Sequence, residues 1–144
     1  LLTYIFLHAS PLHLFLNVYA LAIFGNLLEK RMSKVQLFSL LFLGGIVAAI
    51  SEVLSSSLLL ENYPTLIGSS GAVCAILAGC VALSPESDVW IFFIKMKVRT
   101  ALLIFLIFQA LGILGIFSLE ANTAYAAHIG ALIFGYLYAK FFVK

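Results

Sequence analysis

Four polar side chains interrupt long apolar stretches of this sequence, and their types are those of acyl-transfer chemistry: His13, Asn17, Ser70 and His128. Ser70 lies in "LIGSSGAVCAILAGC", residues 66–80, a run apolar enough for a membrane helix that nonetheless opens on Gly68, Ser69, Ser70 and Gly71. Two readings of that opening compete: small residues that let helices pack closely, or a serine that does chemistry. A serine hydroxyl attacks poorly at neutral pH unless a base takes its proton, and histidine, with a pKa of about 6.5, is the usual base. The oxyanion formed by attack needs donors already aimed at it. Backbone N–H groups in the first turn of a helix lack intrahelical acceptors and lie at the positive end of the helix dipole, so the turn containing Ser70 offers part of that set. The side chains of His13 and Asn17 offer the rest. Such a scheme calls for neither a metal nor an organic cofactor. The two cysteines, Cys74 and Cys80, do not share a helix face and read as small packing residues rather than as a disulfide or a metal pair.

These residues are far apart in the chain, so other elements must bring them together. With 64% hydrophobic residues, 10% charged residues and a mean hydropathy of +1.17, the sequence lies outside the range of soluble domains and reads as a membrane protein. Five apolar stretches meet the roughly 17–25-residue length of a spanning helix: about 11–28, 35–54, 66–83, 99–117 and 123–142. No signal peptide, lipidation motif or soluble domain is recognisable, so residues 1–144 read as a single all-α, polytopic transmembrane domain. Every Lys and Arg falls into one of three groups: Lys30, Arg31 and Lys34; Lys95, Lys97 and Arg99; Lys140 and Lys144. The loops on the opposite side carry only Glu52, Glu61 and Glu120. The positive-inside rule then places the first residues, 55–65 and 118–122 outside and the C-terminus in the cytoplasm. The basic residues are accounted for as topology determinants, and the net charge of +2 gives no reason to expect a nucleic-acid partner.

Helix-start chemistry refines the outer ends. Ser10-Pro11 reads as an N-cap followed by proline at the first helical position, which puts His13 and Asn17, four apart, on one face of the first two turns. Gly68 or Ser69 is expected to cap the third span, with Ser70 in its first turn. Asn122 or Thr123 is expected to cap the fifth, with His128 about one and a half turns inside. All four polar residues thus lie at one shallow depth below the outer face, on three helices. Polar groups inside a bilayer face the bundle interior or a water-filled cavity, so they are expected to converge.

Small residues recur every four positions in the third span (Gly71, Ala75, Gly79) and the fifth (Ala127, Ala131, Gly135, Ala139), a spacing that lets backbones approach. That close approach is expected to bring Ser70 against His128. Asn26 and Gln109 read as interhelical contacts, Trp90 with Phe92 and Phe93 as an anchor at the cytoplasmic interface, and Tyr125 as part of a cavity mouth. The one acid near His128 in sequence, Glu120, lies in the outer loop, so a Ser70–His128 dyad is expected rather than a triad.

"HASPLHLFLN" (His8, His13, Asn17), "GSSG" (Gly68 to Gly71) and "AHIGALIFG" (Ala127 to Gly135) occur in the order, spacing and helix positions of the rhomboid family of intramembrane serine proteases. The resemblance runs from about residue 6 to about 140 and includes "GNLLEKR" at the end of the first span. It implies a rhomboid-like helical bundle with Ser70 as nucleophile and His128 as base. The oxyanion would be held by the Ser70 N–H with His13 and Asn17. His8 would be a structural hydrogen-bonder, with Gly68, Gly71, Ala131 and Gly135 in support. The implied activity is hydrolysis of peptide bonds in or near the transmembrane segments of membrane-protein substrates, with water arriving from the outer face beneath a loop matched by residues 118–126. The fourth span resembles the family's lateral gate.

Three departures carry expectations of their own. The family's core has six spans, and the five visible here begin where its second would, so the first helix and its long loop with a Trp-Arg pair are absent and the domain reads as N-terminally incomplete. The position four after the nucleophile, aromatic in the family and packed on the histidine, is Cys74, which predicts a more loosely held histidine. The family's first glycine after the histidine is replaced by Ala131, with Gly130 displaced by one. Two other readings start from the same residues. A non-catalytic rhomboid-like protein that binds transmembrane segments predicts loss of the serine or the histidine, yet both are present. A transporter or channel predicts a polar path at the midplane, whereas these polar residues cluster near one face.

Overall fold

The computed structural model of the chain describes residues 2–58, 66–116 and 124–143. A 3-10 turn, Thr3–Phe6, leads into helices α1 (Pro11–Leu28), α2 (Lys34–Leu58) and α3 (Ser70–Leu83). A two-stranded hairpin follows, β1 (Asp88–Ile91) and β2 (Ile94–Lys97), and then α4 (Val98–Ile113) and α5 (Tyr125–Phe142). Each of the five apolar stretches therefore contains one helix. α1 and α2 are long and apolar enough to cross a membrane, while α3 and α4 are shorter apolar helices. The start of α1 follows the sequence: the Ser10 hydroxyl accepts the His13 backbone N–H at 3.1 Å and Pro11 stands at the first helical position.

The mostly helical fold fits the all-α expectation, to which it adds a short hairpin whose strands pair antiparallel with Val89 opposite Met96 and Trp90 opposite Lys95. Asp88 bridges Lys95 and Lys97 across it, at 3.0 and 2.7 Å. At the turn Phe92 sits at φ 53, a left-handed conformation disfavoured for a bulky side chain. Two contacts offset that strain: its N–H donates to the Tyr19 hydroxyl at 2.6 Å, and its ring stacks on Tyr19 with centroids 4.9 Å apart. The three aromatics read as an interfacial anchor, Trp90, Phe92 and Phe93, are all exposed, and Phe92 also ties the hairpin to α1.

α3 is the centre of the bundle, with every residue from 71 to 80 buried. α2 and α5 flank it and α1 covers a third side, while α4 keeps much of its surface, including Leu103, Ile107 and Phe108, exposed. Glycines set the separations. A methyl group at Gly44 of α2 would overlap the Ala75 side chain, and one at Gly135 of α5 would overlap the Ala75 backbone, so Ala75 is gripped from both sides. The small-residue row of α3 does not face α5 alone, as the sequence predicted. Gly71 meets Ala48 of α2, and Gly79 meets Leu40 and Leu28 as well as Ala139. The reason is geometric: residues four apart drift about 40° around a helix, so the row winds from one neighbour toward the next. Its counterpart on α2 (Gly44, Gly45, Ala48 and Ala49, all buried) went unread in the sequence.

Candidate active site

Ser70 is the first residue of α3, and the turn before it is held from the chain's N-terminal segment. The Gly68 N–H donates to the Tyr4 carbonyl at 3.1 Å. The Tyr4 hydroxyl in turn donates to the Gly45 carbonyl of α2 at 2.7 Å. Burial, with a smaller contribution from Cys74, pushes the Tyr4 phenol up to about 12, so it stays a donor throughout the working pH range. Ser69 occupies the cap position, but its hydroxyl does not cap α3 as expected. It lies 3.4 Å from His8 Nε2, which also receives the Ser69 N–H at 3.5 Å. His8 thus holds the residue next to Ser70. Ser69 is free of the helix end because Gly68, at φ +99, turns the chain into α3 in a conformation that only glycine adopts without strain.

His128 stands in the first turn of α5, 7% exposed, and its Nε2 lies 2.8 Å from Ser70 Oγ. α5 is capped across the bundle: Glu52 of α2 accepts the Ala127 N–H at 3.0 Å, one residue before His128. The sequence-based caps, Asn122 and Thr123, lie outside the described residues, as does Glu120. The close passage of α5 over α2 that lets Glu52 reach is set by Gly130, where any side chain would collide with Ser51. Gly130 therefore does what a glycine one position later would not, and Ala131 is fully buried beside it.

The far side of the histidine ring has neighbours that the expectation from Cys74 did not include. Cys74 is buried in the core, and the ring is engaged instead from α4. Phe105 packs at a tilt with centroids 5.8 Å apart, and the Gln109 amide lies 2.7 Å from His128 Nδ1. Phe105 and Gln109 are four apart and so share a helix face. Gln109 is the interhelical contact anticipated for it, but its partner, the histidine ring, was not foreseen. An amide able to reach the second nitrogen of a histidine is the one signal that would have found it.

His13 of α1 packs its ring onto Gly68, so closely that a Cβ there would stand 2.6 Å from His13 Cε1. The ring also meets His8, edge-on at 5.1 Å between centroids. Asn17 is buried, and its amide donates back to the His13 carbonyl at 2.9 Å, which engages one of its two N–H bonds within α1. Asn26, read as an interhelical contact, is exposed and lines the crevice between α1 and α2. Tyr125 places its hydroxyl against Gly112 and closes the seam between α4 and α5. Among the described residues no three His, Cys, Asp or Glu side chains are grouped as metal ligands would be.

The arrangement is thus a hydroxyl at a helix N-terminus hydrogen-bonded to an imidazole whose second nitrogen is also bonded, with His13 of α1 against the approach turn and Asn17 bonded to the His13 carbonyl within α1. No curated protein and no solved structure matches the chain. The family model of the Rhomboid domain does, over residues 1–144, and the chain therefore belongs to the rhomboid family.

Proposed function

We propose that this rhomboid is an intramembrane serine endopeptidase that hydrolyses peptide bonds in or near the transmembrane segments of membrane-protein substrates. The observation that carries the reading is the 2.8 Å contact between Ser70 Oγ and His128 Nε2, made between two helices by residues 58 apart in sequence. In the proposed reaction the Ser70 proton passes to His128 Nε2 as Oγ adds to the substrate carbonyl. The oxyanion is received by the Ser70 N–H, at the start of α3, with His13 and the second amide N–H of Asn17. His128 then protonates the departing amine, and an acyl-enzyme remains on Ser70. Water, deprotonated by the same nitrogen, releases the second product and restores both side chains. No metal or organic cofactor takes part.

By this reading the chain is a multi-pass protein whose dyad lies near the non-cytoplasmic face, with its C-terminus in the cytoplasm. The three clusters of Lys and Arg support that orientation. The test is labelling of the detergent-solubilised protein with a fluorophosphonate, comparing wild type with Ser70→Ala and His128→Ala. Labelling is expected in the wild type alone. Labelling that persists in Ser70→Ala would remove the nucleophile assignment, and an unlabelled wild type that still binds transmembrane peptides would favour a non-catalytic binder.

A further inference from the structure

His128 has two nitrogens, and the proposed chemistry uses only Nε2; the environment of Nδ1 decides whether Nε2 is a base at all. To take the Ser70 proton, Nε2 must present a lone pair, so the ring proton must sit on Nδ1. A buried Nδ1–H needs an acceptor. The group facing it is the Gln109 amide at 2.7 Å, with Gln109 itself 8% exposed. The one carboxylate of α2, Glu52, is engaged at the Ala127 N–H.

We propose that Gln109 is a positioning residue that selects the tautomer of His128, and that it does so by which end of its amide faces the ring. This rests on the Ser70–His128 reading. The amide is placed with Nε2 on Nδ1, an orientation that puts the ring proton on His128 Nε2 and has it donated to Ser70 Oγ, the unreactive sense. A half-turn of the amide exchanges its oxygen and nitrogen at nearly the same positions. Oε1 then accepts the Nδ1–H, and Nε2 is free to accept from Ser70. The same orientation also suits the imidazolium formed when the serine proton arrives, because Oε1 keeps its hydrogen bond and the positive ring meets no opposing donor. Phe105, one turn back on α4, holds the ring at the angle at which both nitrogens reach their partners. A neutral amide supplies this orientation without placing a carboxylate in the bilayer, where an ionised group is costly.

Substitutions separate this role from packing. Methionine has the shape of glutamine and no hydrogen bond to offer; glutamate can only accept. If Gln109 orients the base, Gln109→Met lowers kcat by about 10- to 100-fold, the loss when one buried hydrogen bond is left unmade, with KM within a factor of about 2. Gln109→Glu retains labelling and turnover well above Gln109→Met. If Gln109 merely fills space, the order is reversed, with methionine harmless and a buried glutamate damaging, and that order would overturn the proposal. Imidazole 15N spectra of the wild type, with His128 assigned by its loss in His128→Ala, give a readout independent of activity and of the folding of the Gln109 variants. Wild type is expected to show Nδ1–H, and a wild-type ring protonated on Nε2 would refute the selection. Loss of labelling in His128→Ala together with a silent Gln109→Met would leave the dyad standing and remove only Gln109.

Discussion

Replacing Gly68 with alanine tests how tightly the approach turn fixes His13. Two effects act at this position. At φ +99 an alanine is strained by about 1–2 kcal/mol relative to glycine. Its Cβ would also stand 2.6 Å from His13 Cε1 and 2.7 Å from Nε2, so the ring must retreat about 0.8 Å to regain an ordinary 3.4 Å contact. Ser10 and Pro11 fix the first turn of α1, so the ring gives way by turning about its own side-chain bonds, which carries it off its place beside Gly68. A misplacement near 1 Å can cost about 100-fold in a reaction that depends on alignment. Gly115→Ala is the internal control: Gly115 also has positive φ, +69, but open space where a Cβ would go. Both variants should lose comparable thermal stability in detergent. Cleavage of a transmembrane substrate and fluorophosphonate labelling should fall about 10- to 100-fold in Gly68→Ala and within a factor of about 2 in Gly115→Ala. Equal activity losses in the two variants would refute the reasoning, because strain alone would then account for both.

Two further expectations follow from the geometry. Glu52→Ala removes the acceptor for the Ala127 N–H and should destabilise the protein by about 1–2 kcal/mol, slowing labelling of Ser70; Glu52→Gln, which keeps an oxygen there, should recover most of the loss, and equal behaviour of the two would disprove the cap. Asp88 is held below the usual carboxylate range by hydrogen bonds from Lys97 and then Lys95. A lowered value means its contribution is fully present above the ordinary aspartate value of 3.8 and is lost only as pH falls through the lower folded one. Trp90 fluorescence, read beside that pairing, should therefore stay flat down to about pH 4, and a transition well above that value, persisting in Asp88→Asn, would contradict the assignment.

The sequence made legible the features that chemistry fixes locally. Ser10-Pro11 marked the start of α1, Gly68 to Gly71 marked the turn into α3, and Ser70 and His128 were paired by matched depth. What it concealed depends on how each helix is rotated about its axis. In a soluble protein the polar face reveals that rotation, but here faces toward protein and faces toward lipid are equally apolar. Hence the partners of Gln109, Phe105 and Glu52, and the turning of the Gly71 row toward α2, were not readable. The hairpin was hidden for another reason. "DVWIFFIK" is short and nearly continuous in apolar residues, and its turn places phenylalanine where glycine or asparagine would have announced a reversal.

The length of α3 bears on where the reagent for hydrolysis comes from. Fourteen residues rise about 21 Å, some 9 Å less than a hydrocarbon layer of about 30 Å. A lipid-facing helix that short would force the bilayer to thin around it. α3 is buried over residues 71–80, and beyond its ends the chain continues as the irregular segment 66–69 on one side and the hairpin on the other. Backbone of that kind is tolerated at membrane depth only where protein buries it or water reaches it. On the proposed membrane placement, a short, enclosed α3 shortens the path from the outer face to Ser70, while the longer α1 and α2 match a layer of full thickness.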